Sequence, residues 1–221
     1  ESPHAQIRSE SVRENGSGVS FTLVLPEETV HVDLKIPGTF MVSNALAAAT
    51  VGHLLGISGH EIKAGLEAFE PVKGRMSILE TENGVHIIND TYNANPAAVK
   101  VAIETLCSLK AGQRAVLVFA DMLELGDRSE ALHMDVGAAV GRSGIDRLYL
   151  TGRFSDAVQT GAVRKNFHVD DIFIGAKDDI FKDLTDWLRP GDWVLVKGSR
   201  GMSMEDVVDR LVAWGKVSNR I

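Results

Sequence analysis

The apolar and polar positions of this chain change their period part-way along. Over residues 5–13, 19–25 and 30–36 they alternate, as in strands with one buried face. Asn15-Gly16-Ser17-Gly18 and Pro26-Glu27-Glu28 separate those runs and read as hairpin turns. From Val42 to Leu55 the spacing becomes helical and rich in Ala and Leu, with Gly56 as its stop. Ser58 fits the N-cap of a second helix reaching Ala68, and Glu61 completes a capping box.

Beyond Pro71 the pattern becomes strand, loop, helix, repeated. Residues 76–81 and 85–89 flank Glu82-Asn83-Gly84, as a hairpin or as two successive strands. Pro96 opens a helix to about Leu109. Strands at 115–119, 147–150, 171–174 and 193–196 then alternate with helices at 128–141, 154–161, 178–188 and 204–214. Short apolar strands between helices predict an α/β fold, a mostly parallel sheet covered on both faces. The change of pattern predicts a boundary near Val72–Gly74, dividing residues 1–73 from 74–221. Gly137 and Gly141, one turn apart, predict close helix packing.

Composition narrows the function classes. The 221 residues are 44% hydrophobic, enough for packed cores. A formal net charge of −7 argues against a nucleic-acid backbone binder, which needs a basic face to displace counterions. No apolar run approaches the ~20 residues of a membrane helix. One cysteine, Cys107, leaves no internal disulfide and fits a reducing cytosol, so a cytoplasmic protein is expected, with a monomer as the default. No signal peptide is visible, and a start at Glu1 rather than Met fits a piece of a longer chain.

In an open parallel sheet, ligands bind beyond the carboxyl ends of the strands. That rule selects the loops 90–96, 121–126, 151–153 and 197–201, with Gly74-Arg75 expected to approach the same cleft. The first reads Asn89-Asp90-Thr91-Tyr92-Asn93-Ala94-Asn95-Pro96. A carboxylate there can accept from a ribose diol and the amides can pair with a base edge, or the segment is an Asx-rich turn capping the next helix. Lys197-Gly198-Ser199-Arg200-Gly201 offers cations, a hydroxyl and free N–H groups to a carboxylate or phosphate, or is a turn with two solvated cations. Asp121-Met122-Leu123-Glu124-Leu125-Gly126 is acidic, with His133 in the following helix. These groups could hold an ammonium or a metal, although their spacing matches no metal signature; a helix-capping acid and a surface histidine are the alternative. No Gly-x-x-x-x-Gly-Lys-[Ser/Thr] phosphate loop occurs, so a complete ATPase site is not encoded here.

Taken in order, Asn44-Ala45-Leu46-Ala47-Ala48, Gly74-Arg75, Tyr92-Asn93-Ala94-Asn95-Pro96, Asp121-Met122-Leu123-Glu124-Leu125-Gly126, His133 and Lys197-Gly198-Ser199-Arg200 resemble the Mur ligases, in particular the branch that adds D-alanyl-D-alanine. The resemblance covers nearly the whole chain. It implies the end of a central ATP-binding domain, contributing a β-hairpin and helices, followed by a Rossmann-like C-terminal domain. It also implies ATP as cofactor and magnesium held by ligands upstream of this chain. The substrates would be UDP-N-acetylmuramoyl-tripeptide and D-alanyl-D-alanine, and a missing N-terminal part of the same polypeptide would complete the enzyme. By matching positions, Asn44 would touch adenine and Arg75 would reach the ATP phosphates as the catalytic candidate. Asp90 would hold the ribose, with Asn93 and Asn95 near the base. Lys197, Ser199 and Arg200 would face the peptide substrates, with Asp121, Glu124 and His133 shaping the same cleft.

Two positions depart from the family. Phe40-Met41 stand where it often has His-Asn, and Ala120-Asp121-Met122 replaces its Gly-Asp-Met. Two other readings remain: a sibling Mur or folylpolyglutamate-type amino-acid ligase, and a non-enzymatic nucleotide-binding module.

Overall fold

The structure, a computed structural model, describes residues 5–14, 18–70 and 72–217. The turn expected at 15–17 and the boundary residue Pro71 lie outside the described residues. The chain divides into two compact units, Glu1–Pro71 and Val72–Ile221, within two or so residues of the boundary read from the sequence.

The first unit begins with an antiparallel sheet of β1 (Arg8–Glu14), β2 (Val19–Val24) and β3 (Thr29–Leu34), in that order. Its alternation decides which face is buried: Val19, Phe21 and Leu23 point inward from β2, and Val30, Val32 and Leu34 from β3. Helices α1 (Phe40–Leu54) and α2 (Gly59–Glu67) close that core with Val42, Ala45, Ala49 and Ile62. The capping box forms: Glu61 N–H donates to Ser58 Oγ at 3.4 Å, and Ser58 N–H donates to Glu61 Oε2 at 3.1 Å. The Ser58 hydroxyl, then its backbone N–H, hold the Glu61 carboxyl below its ordinary value. That contribution is present above the ordinary carboxylate pKa and is lost as pH falls through the lowered one. Helix α1 is apolar around its circumference, so Val51, Leu54 and Leu55 stay exposed in this unit by 59%, 78% and 74%.

The second unit is a six-stranded sheet of order β4-β5-β9-β6-β7-β8. Its strands are β4 (Ser77–Glu80), β5 (His86–Asp90), β6 (Ala115–Ala120), β7 (Arg147–Thr151), β8 (Ile172–Ile174) and β9 (Trp193–Lys197). The segments around Glu82-Asn83-Gly84 form an antiparallel hairpin; every other neighbouring pair is parallel. Helices α3 (Pro96–Leu109), α4 (Ser129–Val140), α5 (Ser155–Val163) and α6 (Lys177–Trp187) link successive strands from β5 to β9, and α7 (Glu205–Val217) follows β9. All six residues of β6 are buried, as in a strand covered on both faces.

The strand order positions the site. The last strand, β9, inserts between β5 and β6, so the chain's final loop emerges between two loops encoded far earlier. Lys197 then stands level with Asp90 on one side and with Phe119 on the other.

Helices α4 and α5 meet backbone to backbone. A Cβ built on Gly137 would lie 1.9 Å from Val158 O, and one on Gly161 would lie 2.0 Å from Met134 O. Gly141 approaches Ala162 O in the same way, at 2.5 Å.

Candidate active site

The ends of β5, β6, β7 and β9 bring the four loops to one edge, where hydrogen bonds knit them together. The Lys197 ammonium pairs with Asp90 Oδ2 and donates to Asn93 O at 3.0 Å. Its side chain is 2% exposed and that of Asp90 13%. The other Asp90 oxygen accepts Met76 N–H at 3.2 Å. Both carboxylate oxygens therefore have a partner within the chain. A buried cation is stabilised beside its counter-ion, and for Lys197 Asp90 supplies it.

Segment 74–76 lies along this loop. Gly74, at φ +81°, leaves 3.2 Å between a built Cβ and Thr91 Oγ1, and its carbonyl accepts Tyr92 N–H at 2.9 Å. A side chain here would be strained by backbone and neighbour alike. The exposed Arg75 guanidinium rests 4.0 Å from the centre of the Tyr92 ring. Tyr92 was not singled out from the sequence: nothing in local spacing reports a contact between a hairpin entry and a loop on the next strand.

Asn95 fills the capping role. Its Oδ1 accepts Ala98 N–H at 2.9 Å, with Pro96 in the first turn of α3. Asn95→Ala should cost about 1 kcal/mol, read as a lower denaturation midpoint of this unit; an unchanged midpoint would deny the cap. Asn93 is exposed, and its Oδ1 accepts Ala94 N–H at 2.8 Å. Asn44 is also exposed, in the first unit. Its amide points at Met41 Sδ, 3.6 Å away, and the two residues line a largely apolar cleft of about 480 Å³ within that unit.

Ser199 joins three loops. Its Oγ accepts Leu123 N–H at 2.8 Å and donates to Ala94 O at 3.4 Å, while its own N–H donates to Asp121 O at 3.1 Å. Arg200 is exposed and pairs with Glu205 at 3.3 Å. The replaced glycine at Ala120 has a visible counterpart: a Cβ on Gly198 would lie 2.9 Å from Ala120 Cβ, so the methyl takes up the space beside the last loop.

The acidic loop and His133 sit otherwise than expected. Asp121 is 6% exposed, and its oxygens accept Arg153 N–H at 2.7 Å and Phe154 N–H at 3.1 Å. His133, read as a cleft or surface group, is fully buried: α4 turns it beneath the loop, stacked on Phe154 at 4.6 Å. Asp121 and His133 thus lie beneath the loop rather than at its exposed tip. Glu124 remains exposed at the tip, at φ +63°. Among the described residues no group of three or more His, Cys, Asp or Glu could hold a metal ion. No described helix is long and apolar enough to cross a membrane.

Comparison with known proteins identifies the family. The pattern of the family described as "Mur ligase, glutamate ligase domain" matches residues 74–200. This chain belongs to the Mur ligase family. The UDP-N-acetylmuramoyl-tripeptide--D-alanyl-D-alanine ligase of Bacillus subtilis is 33% identical over 210 residues, covering 95% of this chain and 45% of that protein. MurF from Acinetobacter baumannii has the same fold, with a TM-score of 0.85 at 26% identity over 96% of this chain and 46% of that one. MurF ligase from Thermotoga maritima, solved in complex with ADP, shares the fold at a TM-score of 0.79 and 23% identity, over 96% of this chain and 47% of that one. The chain spans about half the length of the Mur ligases it matches.

Proposed function

We propose that this chain is the C-terminal part of an ATP-dependent ligase that joins D-alanyl-D-alanine to UDP-N-acetylmuramoyl-tripeptide during cytoplasmic synthesis of peptidoglycan precursors. One observation carries the reading: 33% identity over 95% of the chain to a ligase of that name. Convergence of the motif loops at one sheet edge supports it, since a ligase of this type needs cations and polar groups held where phosphoryl and peptide groups meet. The chain alone is inactive in this reading, because it encodes no phosphate loop. The first unit is the end of the ATP-binding domain. The apolar circumference of α1 supports that, since a helix apolar all round is normally buried on every side.

The chemistry has two displacements. A carboxylate oxygen of the tripeptide attacks the γ-phosphorus of ATP, and ADP leaves. The amine of D-alanyl-D-alanine then attacks the acyl carbon; the C–O bond to phosphate breaks, inorganic phosphate departs and the amine loses a proton. ADP bound to the Thermotoga maritima relative supports a nucleotide site of this kind. Magnesium would be held by the part of the polypeptide this chain does not cover, and would screen the phosphoryl oxygens.

Within this chain, Arg75 is the residue for the ATP phosphates: its guanidinium is exposed, held by the Tyr92 ring and unpaired with any carboxylate among the described ion pairs. Asn44 serves the adenine, and Asn93 presents an exposed amide for the base. Asp90 anchors Lys197 rather than meeting solvent, and the pair sets the floor of the site. Arg200, with Glu124 opposite in charge, faces the peptide substrates. In the full-length enzyme, Arg75→Ala should lower turnover by about a hundredfold or more, the cost of removing one preorganised charge from a phosphoryl-transfer site. Turnover close to wild type would remove Arg75 from that role.

A further inference from the structure

The loop following β6 has each of its first three residues tied to a different element. Asp121 binds the start of α5 through its carboxylate, and Leu123 N–H donates to Ser199 Oγ. Between them, Met122 N–H donates to His133 Nε2 at 2.9 Å. The other ring nitrogen, Nδ1, lies 2.7 Å from Ser129 O, a carbonyl that can only accept. Together these bonds fix one form of the ring: neutral imidazole with its proton on Nδ1.

A buried histidine commonly does no more than satisfy its own helix. This one does so through Nδ1, but Nε2 serves another segment. Met122 is fully buried, and its N–H would be an orphaned donor if position 133 carried an apolar side chain. The ring also stacks on Phe154, whose N–H is held by Asp121, so His133, Met122, Asp121 and Phe154 close a ring of contacts. Outside that ring stand the exposed groups of the loop edge: Glu124 directly, and Arg200 through Leu123 and Ser199.

We propose that His133 is a positioning residue, which acts through the Met122 N–H to hold the Glu124 loop and, through Leu123 and Ser199, the Arg200 loop in register for the peptide substrates. Its kinetic consequence rests on the ligase reading; its geometry does not.

Two variants separate the effects. His133→Phe keeps the ring and the stack but removes the acceptor, whereas His133→Gln keeps an acceptor near the Nε2 position. In the 221-residue chain, the ring ¹⁵N spectrum should show a protonated Nδ1 and a bare Nε2. Amide exchange of Met122 and Leu123 should speed up by about tenfold or more in His133→Phe and stay near wild type in His133→Gln. In the full-length enzyme, kcat/KM for the peptides should fall on the order of tenfold to a hundredfold in His133→Phe, with the KM for ATP little changed and recovery in His133→Gln. A proton on Nε2, or faster exchange with unaltered peptide kinetics, would overturn the proposal. Absence of ligation by the wild-type enzyme would instead sink the ligase reading, and the ring spectrum and amide exchange would still decide the contact.

Discussion

Replacing Lys197 by methionine should destabilise the second unit by about 3–5 kcal/mol and end ligation in the full-length enzyme. The stability term comes from Asp90. Its carboxylate side chain is only 13% exposed and is paired with Lys197. Methionine fills a similar volume but leaves that charge without a counter-ion, and an uncompensated buried charge costs far more than the pair itself gains. All three tryptophans, Trp187, Trp193 and Trp214, belong to the second unit, so their fluorescence during denaturant unfolding reports on it alone. The double variant Lys197→Met/Asp90→Asn should recover most of the loss, because a neutral amide can still accept Met76 N–H. It should remain impaired, since the Lys197 bond to Asn93 O that ties the first loop to the last is lost as well. A single variant as stable as wild type would mean that the pair is not closed in solution. A fully active double variant would mean that the Lys197 bond to Asn93 O is not needed to hold the site.

Gly161→Ala should lower the stability of the second unit by about 2–3 kcal/mol, although alanine is the better helix former. Propensity alone favours the change by about 1 kcal/mol. Sterics decide the sign: the new Cβ would lie 2.0 Å from the Met134 carbonyl oxygen, and backbone cannot step aside as a flexible side chain can. Helices α4 and α5 would have to part, and α4 carries His133. Gly65→Ala in α2, where a Cβ meets nothing within 4 Å, isolates the propensity term and should be neutral or stabilising. Thermal unfolding followed by circular dichroism compares the two. Equal behaviour would mean that the close approach of α4 and α5 is not maintained.

The elements themselves were legible because their signals are local. Ser58 with Glu61, Asn95 with Pro96, and the alternation of β2 and β3 each act within a few residues, and each stands where the periodicity put it. The strand order was not legible. Residues of β6 and β9 are buried on both faces, so neither carries a pattern saying which strand lies beside it. Insertion of β9 between β5 and β6 creates the Asp90–Lys197 pair across 107 residues of chain, a contact that no local spacing reports. The burial of His133 is not legible for a related reason. Helix α4 is apolar on more than one side, so its pattern does not say that the histidine faces inward beneath the acidic loop. The candidate loops were legible as a set, because a parallel sheet delivers every strand's carboxyl end to one edge; their mutual bonds required the fold.

Phosphate release by the full-length enzyme tests the central claim most directly. It would be supplied with ATP, magnesium and UDP-N-acetylmuramoyl-tripeptide, and with either D-alanyl-D-alanine or single amino acids. The account predicts release that depends on the dipeptide, with one ligated product formed for each phosphate. Release driven by a single amino acid, or by none of these amines, would contradict it.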